Sequence, residues 1–562
     1  MLPLLSLGLS LSFAAVLATP VLLDIFPGAK QRGRGVHVPL YRREMSEGMR
    51  RREMNTGAIG LGDALDVTYN VLIQVGETST PVVLDTGSAD LWVLSSACST
   101  DCFSTTVPLY PVATFQATGL AVQLMYGDSQ TGTHADGPIG KDTAGLANFS
   151  LDSQYFAAIS STNTSVLQTG SAGIFGLGFP LNSVIWNQLL SAQYPRQKRD
   201  VTRSNFATRI FPDLSFLSRS APLATRQSTS PPSVSDVLAT FSTNGPLISR
   251  LASTGILTFP GVTITLQRDT VDVGGNQGML SIGELPSGLS EDNLTWVPLR
   301  GYTVSQGGLP APADSPTEVY PLTWEIPIDD VFFDGQKLPR SNLSASNISL
   351  SALIDTGNSL MRGPQDVIQN IIDILGGNKY PCADAHTLGF QIGGKLFTVD
   401  PRDFGTQAFT NEDDVCTPSL ASTDPPGHGF LYSWSLGDPF LKSVLATFYY
   451  GNLTYPSHDQ PRIGLLSTVP ADAAQQLKDA VNYANISLGG NLPATSEAAP
   501  TGTLAPASTN ANGVPQAHES GVAPSPSASS AGVGAGGVSV PMPILLGVTI
   551  ISALCSTLLT SV

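Results

Sequence analysis

Residues 82–92 read VVLDTGSADLW, and residues 352–361 read ALIDTGNSLM. In both, apolar residues run into Asp-Thr-Gly and then a small polar residue, and the two Asp lie 270 positions apart (355 − 85). A single Asp-Thr-Gly is a weak signal, equally well read as an ordinary Asp-Gly turn. Two copies, each at the end of an apolar run, point instead to two half-sites. Carboxyls about 3 Å apart cannot both ionise comfortably, so they share a proton and titrate as a pair. Such a pair can take a proton from water with one member and protonate a carbonyl oxygen with the other. Asp85 and Asp355 are therefore the candidate catalytic residues. Thr86 and Thr356 can brace the turns, and Gly87 and Gly357 permit close backbone approach. The chemistry requires neither metal nor cofactor.

Outward from the turns, the chain is rich in short apolar or alternating runs broken by Gly, Pro, Asn and Asp. TYNVLIQV, AVQLMYG, FQIGGKLFTV and LATFYYG are examples. Helical periodicity is scarce, PQDVIQNIIDIL (364–375) being the best case. The 562 residues exceed one ordinary core, so more than one domain is expected. Apolar residues make up 41% and charged ones 13%, with 55 Gly and 42 Pro, which suits an all-β secreted protein. A net charge of −16 argues against a nucleic-acid partner.

Residues 1–18 form an almost uncharged apolar run ending at Ala18, read as a signal peptide despite lacking a basic start. Residues 19–52 carry eight basic and three acidic side chains, a net +5, and include Arg42-Arg43 and Arg50-Arg51-Arg52. This is read as a propeptide, cut at basic pairs and attracted to an acidic body; a plain basic arm is the alternative. Residues 471–531 are assigned to a stalk, the composition turning to Ala, Ser, Thr, Pro and Gly from about residue 489. Residues 532–562 end in an apolar tail with no basic residue after it. Small residues before that tail fit a GPI-attachment signal better than a retained spanning helix. Sequons stand at Asn148, Asn163, Asn293, Asn342, Asn347, Asn452 and Asn485. Of five cysteines, Cys98 and Cys102 could close a small loop and Cys382 and Cys416 a longer one, with Cys555 left over. Sequence alone does not fix that connectivity.

With these motifs assembled, residues 60–470 resemble a pepsin-family aspartic protease, of the surface-anchored fungal type similar to yapsins. The resemblance implies a bilobal β fold with a cleft between two similar lobes, here 53–285 and 286–470. DTGSADLWV matches the first active-site stretch, with Trp92 supporting a flap. MYGDSQTG (125–132) resembles that flap, placing Tyr126, Gly127 and Asp128 at the cleft. GIFGLGF (173–179) and WSLGDPFL (434–441) look like the paired strands beside each active-site turn, and GMLSIGELP, LTWVPL and YPLTWEIPIDDVFFDGQ like the crossing between lobes. The cysteines fall where the family places its Cys98–Cys102-type and Cys382–Cys416-type bridges.

The resemblance implies a secreted endopeptidase acting on proteins or peptides at acid pH, monomeric, held outside the plasma membrane or in the wall by a GPI lipid. Two features depart from the pattern. Ser88 can donate its hydroxyl to Asp85, whereas the second turn offers Asn358, which donates through an amide of different reach. Residues 194–236 form a basic, then Ser/Thr/Pro-rich insertion, and cleavage at Lys198-Arg199 would give a two-chain molecule. Asp128 could favour basic substrates by charge pairing, or simply be a solvated turn residue. The rival reading is a catalytically weak or inactive surface glycoprotein acting as a binding module.

Overall fold

The computed structural model describes residues 36–40, 68–98, 102, 107–127, 132–147, 149–194, 232–266, 278–286, 288–427 and 430–492. The segment read as a signal peptide, most of that read as a propeptide, Asp128, Asn148, the core of the 194–236 insertion, the end of the segment assigned to a stalk, Cys555 and the segment read as a GPI signal lie outside the described residues.

Two sheets each carry one Asp-Thr-Gly turn, and they are wired alike. In the first, Thr78–Asp85 runs parallel to Gly173–Gly176, which is antiparallel to Leu91–Leu94, which is parallel to Phe149–Ile159. In the second, Ser351–Ile354 runs parallel to Trp434–Leu436, which is antiparallel to Met361–Pro364, which is parallel to Leu420–Thr423. The strands next to the turns are buried on both faces, so they read as continuous apolar runs rather than alternating ones. The bilobal β-rich architecture expected from the sequence is the one found.

The halves also share a six-stranded antiparallel sheet, in the order Val36–Leu40, Gly278–Ile282, Gly261–Thr265, Val444–Tyr449, Arg462–Ser467, Thr295–Pro298. Its outermost strand comes from the segment read as a propeptide. Aromatic packing joins the halves beneath the turns: the Trp324 ring centroid lies 4.6 Å from Phe179 and 4.9 Å from Tyr450. Trp324 Nε1 and Tyr450 Oη, from the second half, both donate to the Leu177 carbonyl of the first.

Helices are few. Gln365–Leu375 forms where the periodicity predicts it and ends at Gly376 in the left-handed region (φ 81°). Val184–Gln193 and three short helices between Val234 and Ser253 were not foreseen. One boundary is corrected. Ala473–Ser487, assigned to the stalk, is a helix that buries Ala473, Leu477, Ala480, Val481 and Ala484. That face repeats at the helical period, which stabilises the segment by packing regardless of its polar composition. The catalytic body therefore extends to at least Leu492, where the backbone N–H of Leu492 still donates to Gln407.

Candidate active site

Each Asp terminates a buried strand, and each Thr reaches across to the other turn. Thr356 Oγ1 accepts from the Thr86 N–H at 3.0 Å and donates to the Leu84 carbonyl at 2.7 Å. Thr86 Oγ1 accepts from the Thr356 N–H at 2.9 Å and donates to the Ile354 carbonyl at 2.8 Å. Four bonds thus cross between residues 268 to 272 positions apart, and both threonines are buried. The sequence suggested that the threonines brace the turns, but not that each braces its partner's turn.

This clasp brings the carboxyls together. A Cβ added to Gly87 would lie 2.5 Å from Asp355 Oδ1, and one on Gly357 would collide with Asp85. Glycine is required at both positions because the opposite carboxyl occupies the space of a side chain. The Gly87 N–H donates to Asp85 Oδ1 at 2.8 Å, and the Gly357 N–H to Asp355 Oδ1 at 2.9 Å. Burial raises the affinity of both carboxyls for a proton, and for Asp355 the charge of Asp85 raises it further.

The outer donors differ. Asp85 receives the Ser88 hydroxyl at 2.5 Å and the Ser88 N–H at 3.2 Å. The Asn358 amide does not serve Asp355, although its place in the turn would allow it. It donates to Ser435 Oγ at 2.8 Å, while its Oδ1 accepts from the Leu360 N–H at 3.1 Å. Ser435 had no signal in the sequence, because its role depends on a strand paired beside the turn.

Trp92 Nε1 donates to Tyr126 Oη at 2.7 Å, fixing Tyr126 beside the first turn. Burial first, then the charges of Asp85 and Asp90, keep the Tyr126 phenol neutral. Gly127 takes φ 87°, where the strand leaves its hairpin pairing. Asp90, which carried no signal in the sequence, is buried and accepts from Ser183 Oγ and from the N–H groups of Val184 and Ile185 at 2.8 and 3.2 Å. It caps the helix Val184–Gln193, and burial pushes its carboxyl up to about 6. Tyr432 is a further neighbour: burial, then the charges of Asp355 and Glu325, hold its phenol neutral.

The two bridges expected are formed, Cys98 to Cys102 and Cys382 to Cys416. Sequon residues Asn163, Asn293, Asn342, Asn347 and Asn485 are exposed, and Asn452 is half-buried, accepting from Thr454 and Tyr455 N–H groups. A cavity of about 460 Å³ lies on the second half, lined by Ile328, Val331, Leu338, Ile348, Val367 and Trp434, and contains neither Asp. Among the described residues no group of three or more His, Cys, Asp or Glu is placed to hold a metal ion. No helix among them is long and apolar enough to cross a membrane.

A buried carboxyl pair on two like-wired sheets defines a class of acid-base hydrolase, and comparison with known sequences agrees. The profile of the eukaryotic aspartyl protease family matches residues 68–198 and 240–455, and the chain belongs to that family. It is 23% identical over 440 residues to major aspartyl peptidase 1 of Cryptococcus neoformans, covering 73% of this chain and 74% of that protein. It is 24% identical to an aspartic protease of Phaffia rhodozyma (71% of this chain, 75% of that one) and to pepsin A of Sus scrofa (70% and 81%). The protein is an aspartic-type endopeptidase of the pepsin kind.

Proposed function

We propose that Asp85 and Asp355 are the catalytic pair of a secreted peptidase that acts at acid pH from the cell surface. The observation that carries this is the mutual intrusion of each carboxyl into the space above the other turn's glycine. With one proton between them, ionised Asp85 takes a proton from a bound water as its oxygen bonds to the scissile carbonyl carbon. Asp355 gives its proton to the carbonyl oxygen, producing a gem-diol. In the second step Asp85 passes its proton to the departing nitrogen, the C–N bond breaks, and Asp355 recovers a proton from a diol hydroxyl. No covalent intermediate forms. Tyr126, held by Trp92, closes the site from the flap side and helps exclude water.

The apolar N-terminus, the basic segment and the C-terminal tail support secretion, zymogen processing and GPI anchoring. The pairing of Val36–Leu40 with Gly278–Ile282 gives the basic segment a seat on the body before any cut at Arg42-Arg43. The test is hydrolysis of a mixed peptide library by the processed protein from acid to neutral pH, with and without pepstatin. Cleavage that vanishes with pepstatin and in both Asp85→Asn and Asp355→Asn supports the dyad. Wild-type protein without cleavage at any pH would favour the binding-module reading.

A further inference from the structure

The two turns share a backbone bond to the neighbouring strand and differ in how the residue after the glycine serves its Asp. The Gly178 N–H donates to the Ser88 carbonyl at 2.8 Å, and the Asp438 N–H to the Asn358 carbonyl at the same distance. Residues 88 and 358 therefore occupy equivalent places. Ser88 turns its hydroxyl onto Asp85 Oδ2, whereas Asn358 turns its amide away, onto Ser435. The neighbouring strand decides which way each points. Leu353 pairs with Ser435, and the matching first-half pair is Val83 with Ile174. Ile174 offers no side-chain acceptor, and Ser88 serves Asp85. Ser435 offers a buried hydroxyl, which captures the amide.

We infer that Asn358 is a positioning residue: by committing its amide to Ser435 it withholds a donor from Asp355, so that Asp355 carries the shared proton and holds it to higher pH than a pair with donors on both sides. The inference rests on the assignment of Asp85 and Asp355 as the catalytic pair. A donor on a carboxylate stabilises its charged form, and its absence favours the protonated one. Of the groups around Asp355, the charge of Asp85 reinforces that bias. Asp85 lies across the pair, and the Tyr432 phenol lies within electrostatic reach. Glu325, Asp424 and Arg362 act on Tyr432, and Tyr126 faces Asp85. Asp355 retains the Gly357 N–H and a share of the Gly87 N–H. Asp85 adds both bonds from Ser88, so the proton settles on the less supported side. The consequence is an enzyme whose activity persists toward neutral pH, as a surface peptidase outside an acidic compartment would need.

The experiment is the pH profile of kcat/KM on an internally quenched peptide, for the processed wild type and for Asn358→Ser, Asn358→Thr, Asn358→Ala and Ser435→Ala. Asn358→Ser and Asn358→Thr place a hydroxyl beside Asp355, and Ser435→Ala releases the Asn358 amide. The alkaline limb should move to lower pH by about one unit or more in these three, since a hydrogen bond to a charged acceptor is worth about tenfold or more in proton affinity. Asn358→Ala adds no donor, so its limb should stay with the wild type even if its rate falls. An alkaline limb that moves equally in Asn358→Ala and Asn358→Ser, or in none of the folded variants, overturns the inference. Should one variant fail to fold in a thermal melt, the remaining hydroxyl variant and Ser435→Ala still decide. Peptide cleavage that survives Asp85→Asn or Asp355→Asn would instead sink the dyad itself, a different failure.

Discussion

Thr86 and Thr356 show how much of this site hangs on single atoms. Each hydroxyl accepts from the opposite turn and donates to the strand leading into that same turn, so replacing one leaves two buried partners in the opposite half unmatched. Thr356→Val keeps the shape and removes the bonds, and should cost about 1–3 kcal/mol in urea unfolding together with a fall in kcat. Thr356→Ser should restore most of both. Gly87→Ala is the steric counterpart. Its Cβ would press on Asp355 from 2.5 Å, and a displacement of that order is expected to lower kcat on the order of 100-fold while the protein still folds. Unchanged kcat in Gly87→Ala would mean that the carboxyls are not held as close as the turns require.

Elements rather than residues explain where the body ends. The helix Ala473–Ser487 lies beyond the family match, which stops at 455, yet side chains fasten this segment to the second half. Gln476 accepts from Arg402 at 2.5 Å, itself paired with Asp400, and Gln407 donates to the Gly490 carbonyl at 2.8 Å. Leu477→Ala, at a buried position, should cost about 2–5 kcal/mol, read as a lower melting temperature by calorimetry. Tyr483→Ala, on the exposed side of the same helix, should leave it nearly unchanged. Equal effects from the two would mean that the helix does not pack as described. Periodicity at 473, 477, 480, 481 and 484 was present in the sequence, but low hydrophobicity masked it, because Ala fills most of the contact positions.

Across the whole molecule, buried carboxyls set the pH range of stability. Burial raises Asp85, Asp355, Glu325 and Asp90, the last to about 6. A carboxyl with a folded pKa above its unfolded value binds protons more tightly when folded. Its contribution is therefore full below the unfolded pKa near 4 and is lost as pH rises through the folded value. The urea midpoint should fall between pH 4 and 7. Asp90→Asn should flatten that slope, Asp90 alone accounting for about 3 kcal/mol across the window. A midpoint that rises with pH would contradict these directions.

The paired Asp-Thr-Gly turns, the β-rich character and the helix over 365–375 were legible in the chain. Local propensity and short motifs carry such information without reference to distant neighbours. Direction across space was not legible. That Thr86 serves the second turn and Thr356 the first, that Asp90 caps a helix starting 94 residues later, and that Asn358 answers to Ser435 instead of Asp355 all depend on strands paired between remote segments. The sequence by itself determined the class of chemistry, because two like carboxyl turns have few other uses. Only the tertiary structure decided which donors each carboxyl receives, because a side chain's hydrogen bond goes to whichever acceptor the packed neighbour presents.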